Sequence, residues 1–405
     1  MKSSFSIMRD DFPLLRRSIN GFPVTYLDNA ATTLKPQVVL DAITHFYSTC
    51  GANISRGMYT LAEEATVQYE DARVTIADFI GAMPEEIVFT HGATDGINTI
   101  ATSWAFDAIK PGDEIVVTAM EHHSNLLPWQ QCALKTGATL KIVPLQADGT
   151  LDMHAFEEMI SDRTKIVSVC HVSNVLGTVN DIASIVSKAH QVGAKVLVDA
   201  AQSVGHQKIN VHEMQADFLV FSGHKIMGPT GVGVLYVKKD LFDQMPPCQL
   251  GGGMVKKVSY EQNILLWSDM PQRLEAGTPA ISSVIGLAAA IRYMQEHIDV
   301  EALKIHEAYL CKRLIKGLID TKKAVIYGPV DQLKESGHIV SFNIYGWHPH
   351  DVALYCDTYG ICVRAGLQCA QPLAEHLGIG PSVRVSTFAY TTEEEIDHLL
   401  DVLSK

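Results

Sequence analysis

The chain carries little charge for its size, and the charge it has is unevenly signed. Charged residues make up 19% of its 405 positions, and the formal net charge is −13. Lysine and arginine form no cluster beyond short pairs such as Arg16-Arg17 and Lys322-Lys323. That disfavours a nucleic-acid binder, which needs a basic face. No apolar run approaches the length of a membrane span. The opening MKSSFSIMRDDFPLL lacks a long apolar core and a small-residue cleavage site, so it does not read as a secretory signal. A cytoplasmic protein with neither a membrane nor a nucleic-acid partner is expected. The eight cysteines form no CxxC pair. Their scatter (Cys50, Cys132, Cys170, Cys248, Cys311, Cys356, Cys362 and Cys369) suggests neither a disulfide framework nor zinc. No metal ligand set is read from it. Most of these thiols are expected as small core residues, with one reactive. Internal repeats and low-complexity linkers are missing too.

What is present is apolar and periodic. Hydrophobic residues reach 47%, the level of a well-buried globular protein. The length suits about two or three domains. Residues 1–22 read as a short helical arm, and VTYLD (24–28) as a strand leading into a helix at 37–49 that opens after Pro36. From about 70 to 240, β-rich runs alternate with helices. The strands are expected at 86–89, 114–119, 140–145, 165–172, 194–200 and 218–221, with a hairpin-like segment at 231–238. This alternation predicts an α/β fold with a mostly parallel sheet covered on both faces. Beyond 280 the pattern changes to helices at 282–297 and 301–320. Strands at 338–345 and 361–365 and helices at 349–359 and 392–403 then make a second α/β unit.

The chain turns on DFLVFSGHKIMGPTGVG (217–233). An apolar strand ends in Ser222-Gly223-His224, and Lys225 follows before a Gly/Pro-rich turn. Lysine is among the residues least often buried. At the end of a buried strand its amine loses solvent, its pKa falls, and it becomes a neutral nucleophile of the Schiff-base type. A lysine on an exposed loop fits this segment equally. Other polar groups follow predicted strands, where open parallel sheets bind ligands. Gly92, Ala93 and Thr94 open a helix, whose free N–H groups suit a phosphate or are simply capped. Asp199 ends a strand, as a partner for a protonated ring nitrogen or as a helix N-cap. His122 and His123 follow another, as a ring-stacking, proton-moving imidazole or as core histidines. A phosphate cradle, a stacking ring, a buried carboxylate and a Schiff-base lysine together match pyridoxal 5′-phosphate.

The stretches YLDNAATTLKP, MEHHSNLLPW, HVSNVLGT, VLVDAAQ, FSGHKIMGPTGVGVLY, LEAGTPA and VRAGLQCAQPL run over essentially the whole chain. In these the sequence resembles the class V, fold type I aminotransferase group, and within it the SufS-like (group II) cysteine desulfurases. The resemblance implies a large pyridoxal-phosphate domain over 23–280 with a mostly parallel, seven-stranded-type sheet. Residues 1–22 and 281–405 would form a smaller α/β domain. It implies that Lys225 bonds the cofactor, Asp199 pairs with its ring nitrogen, Gln202 lies near its phenolate oxygen and His122 stacks on its ring. Asn174 would lie near substrate and cofactor, and Thr94, Ser222 and His224 would bind phosphate. Thr278 matches a phosphate ligand supplied by a neighbouring subunit, which implies a homodimer. Cys369 matches the persulfide-forming cysteine, Arg384 the clamp on the substrate carboxylate, and Arg364 a second arginine at the site's mouth. L-cysteine would yield L-alanine, and its sulfur would pass to an acceptor protein for iron–sulfur cluster assembly. Residues 347–351 (WHPHD) resemble those of enzymes serving a small zinc-containing acceptor of a SUF-type system. A selenocysteine lyase or another class V enzyme is the alternative. Three positions depart from the family pattern: Ala93 stands in place of a threonine, Gln368 (after Leu367) in place of a histidine, and Ser55 in place of the histidine of an HRG motif.

Overall fold

The computed structural model describes residues 4–405, with side-chain surroundings from Met8 onward. Its centre is a seven-stranded sheet in the order Ile87–Thr90, Gly233–Val237, Phe218–Ser222, Lys195–Asp199, Thr164–Cys170, Glu114–Thr118, Thr139–Val143. Only Gly233–Val237 runs antiparallel to its neighbours; the other pairings are parallel. The strands Glu114–Thr118, Phe218–Ser222 and Gly233–Val237 are buried throughout. Continuous apolar runs of this kind belong to a sheet with both faces covered. One consequence serves the site: the parallel strands send their carboxyl ends, with the turns that follow, to the same edge.

A second, four-stranded sheet follows, in the order Ala324–Tyr327, Ile339–Ile344, Ser382–Ser386, Arg364–Gly366. It is antiparallel throughout. The helices Val300–Asp320, Pro349–Asp357 and Glu393–Ser404 supply its own core, which includes Leu310, Leu314, Phe342, Val352, Val383 and Leu399. Glu393–Ser404 opens with a capping box between Thr392 and Glu395, which satisfies two otherwise unpaired backbone donors.

Three elements differ from expectation. The helical arm is a pair of 3₁₀ turns, Ser4–Asp11 and Pro13–Arg16, followed by a short hairpin. Pro13 lacks the N–H that would continue a helix through it; residues 1–3 of the arm lie outside the described residues. The strand expected at 361–365 divides. Ile361–Cys362 pairs in parallel with Thr25–Tyr26, and Arg364–Gly366 joins the smaller sheet. The segment expected to open the large domain is therefore hydrogen-bonded to the smaller unit, and Asp28 bridges to Ser386 there.

The long helix Thr60–Ile80 is anchored by a buried ion pair. Arg73 donates to both carboxylate oxygens of Glu275 (2.8 and 2.9 Å) and to the Ile87 carbonyl (2.7 Å), and its guanidinium lies over Phe89. Glu275 in turn accepts from the Phe89 N–H at 2.8 Å. Removing one partner strands a buried charge. Glu275→Ala is expected to lower unfolding free energy by about 3–5 kcal/mol, read as a shift in the denaturant midpoint. A shift within error would show that the pair is not what holds the helix.

Candidate active site

The turns at the common sheet edge enclose a cavity of about 320 Å³ together with the smaller sheet. Lys225 ends the 3₁₀ turn Gly223–Lys225, directly after the buried strand Phe218–Ser222. Burial lowers its amine to about 8, against the opposing pull of Asp199; Arg384 lowers it further and Cys369 opposes. Asp199 closes the next strand. It is 7% exposed, its Oδ1 accepts from the Ala201 N–H at 2.9 Å, and burial raises its pKa. Among the described residues no cation lies within ion-pairing distance of it, so the carboxylate faces the cavity in want of a positive partner.

His122 follows the strand Glu114–Thr118. Its Nδ1 accepts from the Ser124 N–H at 3.1 Å, and burial, then Lys225, hold its pKa down to about 4. It is a neutral imidazole near pH 7. His224 is likewise held at about 4, by burial and then by Lys225 and Lys35. Thr94 Oγ1 and Ser124 Oγ lie 2.7 Å apart at the start of the helix Ala93–Ile100. Beside them Ser222 Oγ accepts from the Ala93 N–H at 2.9 Å. A Cβ on Gly233 would sit 2.4 Å from the Gly92 Cα, so glycine there lets this turn close onto the sheet. The departure at Ala93 thus leaves a cradle with hydroxyls from Thr94, Ser124 and Ser222. Gln202 is tied to the Ala30 carbonyl at 2.8 Å.

The smaller sheet supplies the other wall. Arg384, on Ser382–Ser386, is 2% exposed. Its Nη1 donates to the Asn174 carbonyl at 2.9 Å and its Nη2 to Asp28 Oδ1 at 3.2 Å, while its buried Nε has no partner. Burial lowers it to about 10. A buried guanidinium with one donor, Nε, still unpartnered suits a carboxylate ligand. Arg364 is half-exposed and grips Asp28 with Nε and Nη2, at 2.9–3.1 Å. Cys369 is exposed, the one free thiol of that class among the described cysteines. Gln368 and Cys369 have consecutive positive φ values of 53° and 55°, strained for side-chain-bearing residues. Three contacts hold that turn. The Cys369 carbonyl accepts from the His123 N–H (2.8 Å), the Gln368 carbonyl from Asn174 (2.8 Å), and His123 Nε2 from the Gln371 N–H (3.1 Å).

Every expected site residue but one lines this cavity: Lys225, Asp199, His122, Gln202, Thr94, Ser222, His224, Asn174, Arg364, Cys369 and Arg384. Thr278 does not. It lines a separate cavity of about 270 Å³ with Ser55, Arg56 and Gly277. Asp28, which orients both arginines, and His123, which clamps the cysteine turn, carry roles that sequence reasoning did not assign. Asp28 ends an expected strand, the same signal that singled out Asp199. A buried carboxylate, a desolvated amine, a neutral imidazole and a hydroxyl-lined helix start make a donor set that fits pyridoxal phosphate.

Comparison with known proteins agrees. Residues 25–399 match the aminotransferase class-V family. This chain belongs to that family. It is a pyridoxal-phosphate family. A cysteine desulfurase of Haloferax volcanii is 43% identical over 98% of this chain and 95% of its own length. A probable cysteine desulfurase of Halalkalibacterium halodurans is 46% identical over 97% of this chain and 96% of its own. Among solved structures, the apo cysteine desulfurase of Thermococcus onnurineus superposes with a TM-score of 0.93. It is 42% identical, with 98% of this chain and 96% of that one covered. A cysteine desulfurase of Escherichia coli in S-sulfonic acid form gives 0.90 at 36% identity, covering 98% and 97%.

Proposed function

We propose that this class-V enzyme is a SufS-like cysteine desulfurase, taking sulfur from L-cysteine and releasing L-alanine. One observation carries the reading. The cavity sets the lysine and aspartate of the large sheet against a buried arginine with one unpartnered donor and an exposed cysteine on a strained turn. An aminotransferase needs the first three groups; the exposed thiol at the mouth is what sulfur transfer needs.

Arg384 takes the substrate carboxylate, with Asp28 and the Asn174 carbonyl fixing its plane. Bound pyridoxal phosphate supplies an electron sink that acidifies the substrate Cα–H and weakens its carbon–sulfur bond. Lys225, desolvated and near half-neutral in mildly alkaline solution, moves the Cα proton. Neutral His122 takes the substrate thiol's proton. The Cys369 thiolate attacks the substrate sulfur; as the sulfur–sulfur bond forms the carbon–sulfur bond breaks, its electron pair stays with the substrate carbon, which takes up a proton and leaves as alanine, and the sulfur remains on Cys369 as an exposed persulfide. Asp199 holds its negative charge against the cofactor ring.

In this reading residues 23–280 form the cofactor domain, and 1–22 with 281–405 form the smaller one, apart from the 25–28 segment described above. Thr278, in its separate cavity, serves the site of a second copy in a homodimer. The sulfur acceptor is a small zinc-containing protein of a SUF-type system in the cytoplasm, met at residues 347–351, where Trp347 is exposed. The deciding assay is alanine and sulfide production from L-cysteine, with and without such an acceptor; no alanine under either condition would overturn the reading.

The Lys225 amine makes a prediction about pH. Only its neutral form attacks an aldehyde. Stripped enzyme should recapture pyridoxal phosphate about tenfold more slowly for each pH unit below about 8, with a plateau above. Stopped-flow absorbance follows this, and a flat profile between about pH 6 and 9 would contradict a desolvated lysine.

A further inference from the structure

A second cluster of ligating side chains lies behind the cofactor cavity and takes no part in the chemistry above. His206 is on the turn after Lys195–Asp199, Glu307 on the helix Val300–Asp320, and His338 just ahead of the strand Ile339–Ile344. They are 8%, 2% and 4% exposed. His206 Nδ1 lies 2.9 and 3.0 Å from the two Glu307 carboxylate oxygens. The His206 and His338 rings stack with centroids 3.6 Å apart and planes 13° from parallel. One ligand atom from each of the three residues falls within 4.8 Å of the others.

The decisive atom is His338 Nε2, buried and without any hydrogen-bond partner. One nitrogen of a neutral imidazole carries a lone pair, and a buried Nε2 that no protein group occupies is open to a metal ion. Beside them is a cavity of about 60 Å³, bordered by Gln207, Lys304 and Ser336, enough for a water, which occupies about 30 Å³.

We propose that His206, Glu307 and His338 form a buried site for a divalent transition ion of the zinc class, with a water as fourth ligand. Two imidazoles and a carboxylate suit zinc or cobalt and disfavour magnesium or calcium, which prefer all-oxygen shells. Ligand atoms around tetrahedral zinc lie about 3.3 Å apart, from bonds of about 2.0–2.1 Å, so the cluster contracts modestly on binding. The ion replaces the proton shared by His206 and Glu307. The stacked rings splay, because lone pairs of parallel rings do not meet at a point. The exposed Lys304 is the one cation bordering the cavity, and it can turn to solvent. Such an ion would staple the helix Val300–Asp320 and the smaller sheet to the turn carrying Gln202, which lines the cofactor cavity.

The test uses cofactor-loaded enzyme carrying Cys369→Ala, so that the exposed thiol cannot bind the ion. After chelator treatment and desalting, the protein is given Zn²⁺ or Co²⁺ alone and desalted again. The expected result is one ion per chain by elemental analysis. Cobalt should give visible absorption of a four-coordinate nitrogen/oxygen site without a thiolate band, and zinc should raise the melting temperature. His338→Gln and Glu307→Gln in that background should each weaken retention by at least about tenfold and remove the melting shift, with circular dichroism confirming their fold. No ion retained by the parent, or equal retention by a folded variant, overturns the site. Should a variant fail to fold, the parent's stoichiometry and cobalt spectrum decide alone.

Discussion

Cys369→Ala should abolish sulfur transfer from L-cysteine, with alanine and sulfide production falling by at least about 10³-fold, as expected when a nucleophile is removed outright. The cofactor's visible absorption should survive, because Cys369 lies at the mouth of the cavity on the smaller unit, away from the sheet edge carrying Lys225 and Asp199. Mass spectrometry of the wild-type chain after brief exposure to L-cysteine should show one added sulfur on the peptide containing Cys369, absent from the variant. Of the other described cysteines only Cys170 lines the cavity, and it is buried, with burial pushing its thiol well up. Alanine formed by the variant at the wild-type rate would mean that another group takes the sulfur, and the proposed mechanism would fail.

Lys225→Ala should act at the opposite end of the reaction. Loss of the amine removes the covalent anchor and the group that moves the Cα proton. General acid–base catalysis alone is worth about 10²–10⁴-fold, and loss of the anchor adds to that. The variant should bind pyridoxal phosphate without the protonated Schiff-base absorption of the wild type, and borohydride should no longer fix the cofactor to the chain. Asp199 then loses the nearby positive charge that helps offset its burial. Pairing these two variants separates the functions: one retains the cofactor spectrum and loses sulfur, the other loses both. A Lys225→Ala enzyme that still showed the wild-type absorption would place the cofactor bond elsewhere.

Much of the site could be read along the chain because its parts sit in short, locally determined pieces. Strand, turn and polar residue follow each other at Asp199, His122 and Lys225, and a parallel sheet gathers such turns at one edge whatever the details of packing. The residues that escaped assignment are those whose partners are remote in sequence. Asp28 meets Arg364 and Arg384 more than 300 positions away because Thr25–Tyr26 pairs with Ile361–Cys362. No local pattern encodes that pairing. His123 reaches the cysteine turn by the same long-range route, and His206, Glu307 and His338 come together only where a turn, a helix and a strand end meet.

The sequence by itself determined an alternating α/β chain and a lysine at a buried strand end, with periodicity and turn composition as the physical signals, while the role expected of Cys369 came from the family resemblance. Only the tertiary structure decided how these face one another. It left the Arg384 Nε unfilled, put two strained residues at the thiol and sent Thr278 to a separate cavity. Burial and backbone register set these features, and both arise from contacts between segments that are distant in the chain.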